Sequence, residues 1–287
     1  MLETGIIFAL GALLFWGFGD FLIQRTARKF GDWETLFVIS FFGVVILTPF
    51  IYNDVFLLKD NTLFLLLGVS ITLLLAAILD FEALRRGKLA VVEPVYALEV
   101  PVTAIFAFLV VNESFEIFQL ALISLIILGL VLISLRTYHF SRKKWLEKGV
   151  LLATVGTIFM GASNFLVGFG SRITTPLLTN WFMSVFLSAV SIYYIFSSKR
   201  LNKLVNDFRK NKKLILSVSM FDNFAWISFA IAASLIPIAF AMVVSESYIA
   251  LAALLGFIIN KEKLLVHQKL GLCITFSCAA ILILSSI

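Results

Sequence analysis

Acidic side chains recur inside long apolar stretches of this 287-residue sequence. An Asp or Glu at the centre of a membrane-spanning helix costs about 2.5–3.5 kcal/mol on insertion scales, so several of them together need an explanation. We expect such carboxylates to face a bundle interior, water or basic partners, or to be protonated. Seven residues form this set: Asp20, Asp80, Glu82, Glu93, Glu99, Asp222 and Glu246.

Depth along the predicted helices, at 1.5 Å per residue, sorts these acids into groups. Three of them fall near mid-membrane: Glu99, Asp222 and Glu246. Three others fall in the quarter nearest the cytoplasm: Asp20, Asp80 and Glu93. The deep acids indicate a central binding site, although each could instead be protonated and hydrogen-bonded to a neighbouring helix. For Asp80, an interfacial ion pair is as good an interpretation as a functional role.

Aromatic and amide side chains accompany the acids at helical spacing. Trp226 follows Asp222 by four residues and Trp16 precedes Asp20 by four, so each pair shares a helix face. A Trp beside a carboxylate suits an organic cation, whereas packing between helices is the alternative. The candidates for substrate binding are Glu99, Asp222, Glu246, Trp226, Tyr248, Asn164, Tyr96, Asn223 and Trp16, and those for proton coupling or gating are Asp20, Glu93, Asp80, Glu99 and Glu246.

The elements that would position these residues are membrane spans. The chain is 61% apolar and only 14% charged, which excludes a soluble enzyme, a nucleic-acid-binding protein and a disordered chain. Ten apolar runs are long enough to cross a bilayer. They start near residues 4, 35, 62, 89, 117, 149, 177, 214, 238 and 264, and end near 24, 52, 84, 111, 135, 171, 196, 236, 259 and 287. Pro176 and Pro237 each divide a long apolar stretch into two spans joined by a tight turn.

Positive charge is concentrated on one side of these spans. The odd-numbered loops and the helix ends next to them hold 21 of the 23 Lys and Arg residues, and the seventh loop is the densest. The positive-inside rule therefore places the odd loops in the cytoplasm and both termini outside a plasma (inner) membrane.

The two halves of the chain resemble each other. Residues 15–22 align with 159–166 with four of eight positions identical, and Asp20 matches Asn164. A second set of matches lies at an offset of 149, including Glu113 with Glu262 and Gln119 with Gln268. Each half then contains five spans, and an odd number forces the second half to run through the membrane in the opposite sense. We predict repeats at 1–138 and 149–287, joined by a basic cytoplasmic linker at 139–148.

Several motifs are similar to those of the drug/metabolite transporter superfamily, in its ten-helix EamA-type branch. They are Phe15-Trp16-Gly17, Gly87-Lys88-Leu89-Ala90, Pro101, Asn112-Glu113 and Lys261-Glu262. The resemblance implies an all-α integral membrane protein of ten transmembrane helices in two inverted five-helix repeats. It also implies a central cavity lined by spans 1, 3 and 4 with 6, 8 and 9, and transport of amino acids, other metabolites or drugs.

The resulting hypothesis is a proton-coupled exporter of a small cationic or zwitterionic solute, working by alternating access. An uncoupled facilitator with structural carboxylates, or a membrane-embedded carboxylate enzyme, remains an alternative. No nucleotide-binding loop or metal-ligand spacing occurs, so we expect no cofactor and no catalysis. The expected partners are the substrate, protons and the lipid bilayer, with no nucleic acid, and the protein would be a monomer or a homodimer.

Overall fold

A computed structural model describes residues 1–86, 95–135, 148–259 and 264–286. Within these ranges only the backbone is described at 20, 21, 24, 28, 84–86, 148–150, 252, 255–257, 259 and 286. The described residues form α-helices and two 3₁₀ turns, Thr48–Phe50 and Val55–Leu57. The helices are α1 (Leu2–Phe30), α2 (Asp32–Leu47), α3 (Asp60–Arg86), α4 (Glu99–Val111), α5 (Ile117–Ser134), α6 (Lys148–Ile173), α7 (Pro176–Ser197), α8 (Leu201–Lys210), α9 (Lys212–Leu235), α10 (Ile238–Glu246), α11 (Tyr248–Ile259) and α12 (Val266–Ser286).

These helices account for the ten predicted spans. Eight of them are long and apolar enough to cross a bilayer: α1, α2, α3, α5, α6, α7, α9 and α12. The fourth span contains a shorter apolar helix, Glu99–Val111, and the ninth contains an apolar stretch, Ile238–Leu251, that runs through α10 into α11. Pro176 opens α7 and Pro237 immediately precedes α10, so both predicted turns are confirmed. The all-helical, ten-span class is therefore correct.

The fourth and ninth spans are each interrupted by a turn. In a continuous helix residue 101 would donate its N–H to the carbonyl of Ala97, but Pro101 has no N–H for that bond. The structure instead has a turn at 97–98, and Pro101 lies in the first turn of α4, where proline is tolerated. In the ninth span Ser247 separates α10 from α11. Residues 98 and 247 correspond at the repeat offset of 149, so both interruptions occupy the same place in their repeats.

Corresponding spans pack antiparallel, as inverted repeats require. In α2 and α7, Ser188 Oγ donates to Ser40 Oγ at 3.0 Å, and Trp181 Nε1 donates to Thr48 Oγ1 at 2.9 Å. Residue numbers in α7 therefore fall as those in α2 rise along the contact, which is the pattern of antiparallel helices. In the fifth and tenth spans, Gln268 Nε2 at the start of α12 donates to the carbonyl of Ile133 at the end of α5, at 2.9 Å.

Each of the other main contacts between the halves has an equivalent contact in which the two repeats swap roles. The first span packs extensively on the eighth, and the sixth packs equally closely on the third. These two contacts correspond, because the first and sixth spans are equivalent in the two repeats, as are the third and eighth. The fourth span packs on α6, just as α10 and α11 pack on α1. Both repeats also begin their last helix alike, since Gln119 Oε1 accepts the Glu116 N–H and Gln268 Oε1 accepts the Leu265 N–H. One continuous apolar core joins the two halves.

The seventh loop differs from the prediction because it contains a helix. Residues 201–210 form α8, which packs through buried Leu204 against Phe30, Ile195 and Ile215. Gly31, with φ of 111°, makes the turn between α1 and α2 next to this contact. The sequence analysis predicted only a basic connection here, because the many Lys and Arg residues outnumber the few apolar residues that form the stripe.

Candidate functional site

A cavity of about 230 Å³ lies between the two halves. This volume is below the roughly 300–1,000 Å³ that is usual for drug-sized ligands, so it suits a small solute. The cavity is lined by spans 1, 3 and 4 with 6, 8 and 9, as the resemblance implied, and spans 2 and 7 contribute as well. Its lining includes nearly every predicted site residue: Trp16, Asp80, Tyr96, Glu99, Asn164, Asp222, Asn223, Trp226, Glu246 and Tyr248.

The two interrupted spans present their acids to this cavity. Glu99 is the first residue of α4, directly after the turn at 97–98, and Glu246 is the last residue of α10, directly before Ser247. Both side chains are buried, at 9% and 6% exposed. At the repeat offset of 149, Glu246 corresponds to residue 97, two positions before Glu99. The difference arises because one acid follows its interruption and the other precedes its own. A carboxylate at a helix N-terminus, as at Glu99, is also favoured by the helix dipole.

Contacts between α4 and α6 hold Glu99 in place. Asn164 Nδ2 donates to Glu99 Oε2 at 3.4 Å, so the counterpart of Asp20 directly contacts the fourth-span acid. One turn further on, Thr103 Oγ1 donates to the carbonyl of Gly161 at 3.0 Å. Gly161 permits this approach, because a Cβ there would meet Val102 and the Glu99 carbonyl. The amide and the carboxylate are therefore positioned by a close helix crossing.

Aromatic rings form another wall of the cavity. Trp16 meets Trp226 edge-to-face at a centroid distance of 5.4 Å and an angle of 89°. Tyr248 lies 6.2 Å from Trp16, and Phe229 lies 5.6 Å from it. These contacts join the first, eighth and ninth spans. They place two indole rings beside Asp222 and Glu246 in the same lining.

Asp80 lies on the α3 side of the cavity and is 9% exposed. Its Oδ1 is buried and has no hydrogen-bond partner within the described part of the chain. It packs against Gly156 of α6, where a Cβ would clash with Oδ1. Tyr96 contacts the same region, because its hydroxyl donates to the Asp80 carbonyl at 3.1 Å.

A neutral polar wall, which the sequence analysis missed, comes from α2, α7 and α9. Ser40, Asn180 and Ser184 line the cavity beside the predicted Asn223. Asn223 Nδ2 donates to the carbonyls of Ile39 and Ser219 at 3.0 and 2.8 Å. Isolated Ser and Asn residues are common in membrane helices, so nothing in the sequence marked these three as cavity residues.

Every Asp, Glu, Lys, Arg or His in the described lining is an acid. It contains four carboxylates, those of Asp80, Glu99, Asp222 and Glu246, and no Lys, Arg or His. Such a surface repels anions and attracts cationic groups or protons. Within the described residues no group of three His, Cys, Asp or Glu is placed to hold a metal ion.

Several predicted features lie outside the described residues. Glu93 is one of them, as are Gly87-Lys88-Leu89-Ala90, Lys261-Glu262 and nearly all of the predicted linker at 139–148. Asp20 belongs to α1, but its side chain is not described. The gating roles predicted for Asp20 and Glu93 therefore stay predictions.

A second polar cluster lies where the α9–α10 turn meets the α4–α5 connection. Glu113 accepts the N–H of Ile238 at 2.8 Å and that of Ala239 at 3.2 Å, which caps the start of α10. Arg172 pairs with Glu113 at 2.9 Å and donates to the carbonyls of Ala233 and Ile236 at 2.9 and 2.8 Å. The repeat match had singled out Glu113, but its pairing with Arg172 was not predicted.

Comparisons with known proteins agree with this architecture. The uncharacterized protein MJ1333.1 of Methanocaldococcus jannaschii is 23% identical over 136 residues, which cover 47% of this chain and 98% of that protein. The relative thus corresponds to about half of this chain. A solved crystal structure matches with a TM-score of 0.77 at 12% identity, over 97% of this chain and 96% of that one. At that identity the match shows the fold alone.

A family model matches the chain twice, over residues 3–135 and 147–285. The two matches coincide with the two sets of five spans, and together they cover most of the chain. The protein is thus a multi-pass membrane transporter of the drug/metabolite type, and it belongs to the EamA-like transporter family.

Proposed function

We propose that this protein is a secondary transporter that exchanges protons for a small organic cation or zwitterion and exports it from the cell. The observation that supports this most strongly is the central cavity, which combines four carboxylates with aromatic rings and no basic residue in its described lining. Glu99 and Glu246 flank the interruptions of corresponding helices in the two inverted halves. Interrupted helices at a repeat interface are typical of transporter binding sites.

The lining favours a substrate that carries an ammonium or similar cationic group. Trp16 and Trp226 both line the cavity, and a cation over an indole face gains about 0.5–2 kcal/mol. Glu99, Asp222 and Glu246 supply the opposite charge. A zwitterion would place its carboxylate near the neutral wall of Ser40, Asn180 and Ser184, and an amino acid fits this description.

Proton coupling follows from competition for the same carboxylates. A protonated carboxyl has lost the charge that attracts a cation, so binding of the substrate and binding of the proton exclude each other at one side chain. Glu99 and Glu246 would alternate between the two occupants. Asp80, Asp222 and Tyr96, which line the same cavity, complete the proposed polar path.

The inverted repeats provide a physical basis for alternating access. Each contact between the halves has an equivalent with the two repeats swapped, so each repeat could adopt the conformation of the other and keep its contacts. Such a swap would open the cavity to the other side of the membrane. The basic odd loops favour a cytoplasmic location, with both termini outside the plasma membrane. Reporter fusions to the C-terminus test that orientation, and a cytoplasmic signal would refute it.

The first experiment identifies a substrate. Purified protein is screened against organic cations and amino acids by thermal shift at two pH values, and a stabilising solute is then followed into proteoliposomes. We expect an imposed proton gradient to drive its movement. Chemically unchanged solute excludes the enzyme alternative, whereas flux that ignores the gradient favours the uncoupled facilitator.

Two substitutions then test the carboxylates. Glu99→Gln and Glu246→Gln should each lower gradient-driven uptake by about tenfold or more and alter its pH dependence, because a neutral amide cannot exchange a proton. Glu3→Gln, at an exposed position in the first turn of α1, is the matched control and should transport normally. Unchanged pH dependence in both cavity variants would refute the mechanism.

A further inference from the structure

The connection between α7 and α9 carries the densest positive charge of the chain. Residues 199–213 contain seven Lys or Arg and a single acid, Asp207. All seven bases are exposed. Two of them pair with Glu34, Arg200 at 3.7 Å and Lys203 at 3.5 Å. The other five make no ion pair within the described residues: Lys199, Arg209, Lys210, Lys212 and Lys213.

The helix within this connection is amphipathic. At 100° per residue, Leu201, Leu204, Val205 and Phe208 share one stripe of α8, and the polar and basic residues occupy the rest. Leu204 is buried against the protein, but Val205 and Phe208 remain 39% and 40% exposed. Part of the apolar stripe is therefore not covered by the described protein.

The position of α8 along the chain puts it at the edge of the membrane. It directly follows α7 and precedes α9, and both of these helices are long enough to span a bilayer. The ends next to α8 carry exposed apolar side chains, Phe196 on α7 and Leu216 on α9. The exposed stripe of α8 thus lies close to surfaces that face lipid, with its basic residues beside the headgroup layer.

We propose that α8 and the adjoining bases, residues 199–213, form a binding surface for anionic phospholipid headgroups. Charge complementarity selects the partner, since five exposed bases form no ion pair among the described residues and the neighbouring phase is a membrane. The exposed edge of Val205 and Phe208 distinguishes a lipid interface from a purely electrostatic contact with a soluble acidic protein. This assignment does not depend on the substrate or on proton coupling.

The same surface is tied to the wall of the central cavity. Glu34, which is 1% exposed, lies in the first turn of α2 and is held by Arg200 and Lys203. Lys203 also donates to the carbonyl of Phe30, at the end of α1. Further along α2, Leu36, Ile39 and Ser40 line the cavity. A lipid-bound α8 would therefore fix the end of a cavity-lining helix.

Hydrogen–deuterium exchange of the full-length protein tests this proposal. The protein is placed in nanodiscs of phosphatidylcholine alone or mixed with phosphatidylglycerol, and exchange of residues 199–213 is followed by mass spectrometry. We expect severalfold slower exchange of α8 in the anionic discs, with the difference reduced at high salt because surface charges are screened.

A pair of double variants makes the test specific. Lys212→Gln/Lys213→Gln should remove most of the phosphatidylglycerol effect, since each base near an anionic surface contributes roughly a fivefold gain in affinity. Lys59→Gln/Lys269→Gln changes the net charge equally at exposed positions elsewhere and should retain it. Equal exchange in the two lipids, or equal loss in both variants, would overturn the proposal. The proposal would also be overturned if soluble polyglutamate, added to the protein in detergent, slowed exchange of α8 as much as the anionic bilayer does.

Discussion

The cluster around Glu113 allows a quantitative prediction for a single substitution. Its carboxylate is 9% exposed and bridges the α4–α5 connection, the start of α10 and the end of α6. Oε1 accepts both the Ile238 N–H at 2.8 Å and the Arg172 guanidinium at 2.9 Å, while Oε2 accepts the Ala239 N–H at 3.2 Å. Glu113→Gln keeps the shape of the side chain and removes its charge.

The expected cost follows from these three contacts. Hydrogen bonds to charged groups contribute about 1.5–3 kcal/mol and neutral ones about half as much, so the two bonds to Oε1 lose roughly 1 kcal/mol each. An amide NH₂ in place of Oε2 would face the Ala239 N–H, donor against donor, and that bond is lost. Arg172 is 29% exposed and keeps its two carbonyl partners, which limits the damage. The net loss is about 3–4 kcal/mol.

Thermal unfolding of the purified protein measures this loss. At roughly 2 °C per kcal/mol for a chain of this size, Glu113→Gln should lower Tm by about 6–8 °C. Intrinsic fluorescence is a suitable signal because Trp16 and Trp226 lie at the centre of the bundle. Glu3→Gln removes an exposed acid and should shift Tm by no more than about 1 °C. If the two variants unfold at the same temperature, the cluster does not stabilise the fold as argued.

Two further predictions concern helix packing and the attachment of α8. Gly129→Ala should lower the free energy of unfolding by about 1–3 kcal/mol, because the added Cβ would meet Thr275 and the Gly271 carbonyl across the α5–α12 contact. Gly68→Ala is the control: a Cβ there would have no atom within 4 Å, so it should be neutral or slightly stabilising in the same thermal unfolding measurement. Glu34→Gln should cost about 1 kcal/mol, since its two basic partners are half exposed, and should speed hydrogen exchange of α8 selectively; unchanged exchange there would contradict the proposed attachment.

Much of the architecture could be predicted from the sequence because membrane insertion imposes simple rules. Ten apolar runs, two prolines at turns and one internal repeat were enough to define ten spans in two inverted halves. The cost of a buried carboxylate likewise pointed to Glu99, Asp222 and Glu246, which line the same cavity. These predictions depend on how individual residues partition between lipid, water and protein, which composition and spacing record directly.

The rest depends on tertiary contacts, which composition does not record. The interruptions at 97–98 and Ser247 lie within apolar runs that read as continuous helices. The ion pair of Glu113 with Arg172 joins residues far apart in the chain, so neither residue alone predicts it. The amphipathic stripe of α8 was overlooked because the net charge of the loop already had an explanation as a topology signal.

The two acids at the interruptions break the symmetry of the two repeats. If the repeats were identical, corresponding positions would hold the same residue and the inward and outward states would present equivalent charges. Here Glu99 corresponds to Tyr248, and Glu246 corresponds to Ala97. One carboxylate therefore begins a helix after its interruption, whereas the other ends a helix before its own. Under the proposed mechanism, interchanging the repeat conformations would move the two carboxylates to inequivalent places relative to the aromatic wall, so the inward-open and outward-open states would differ in the charge they present to a substrate.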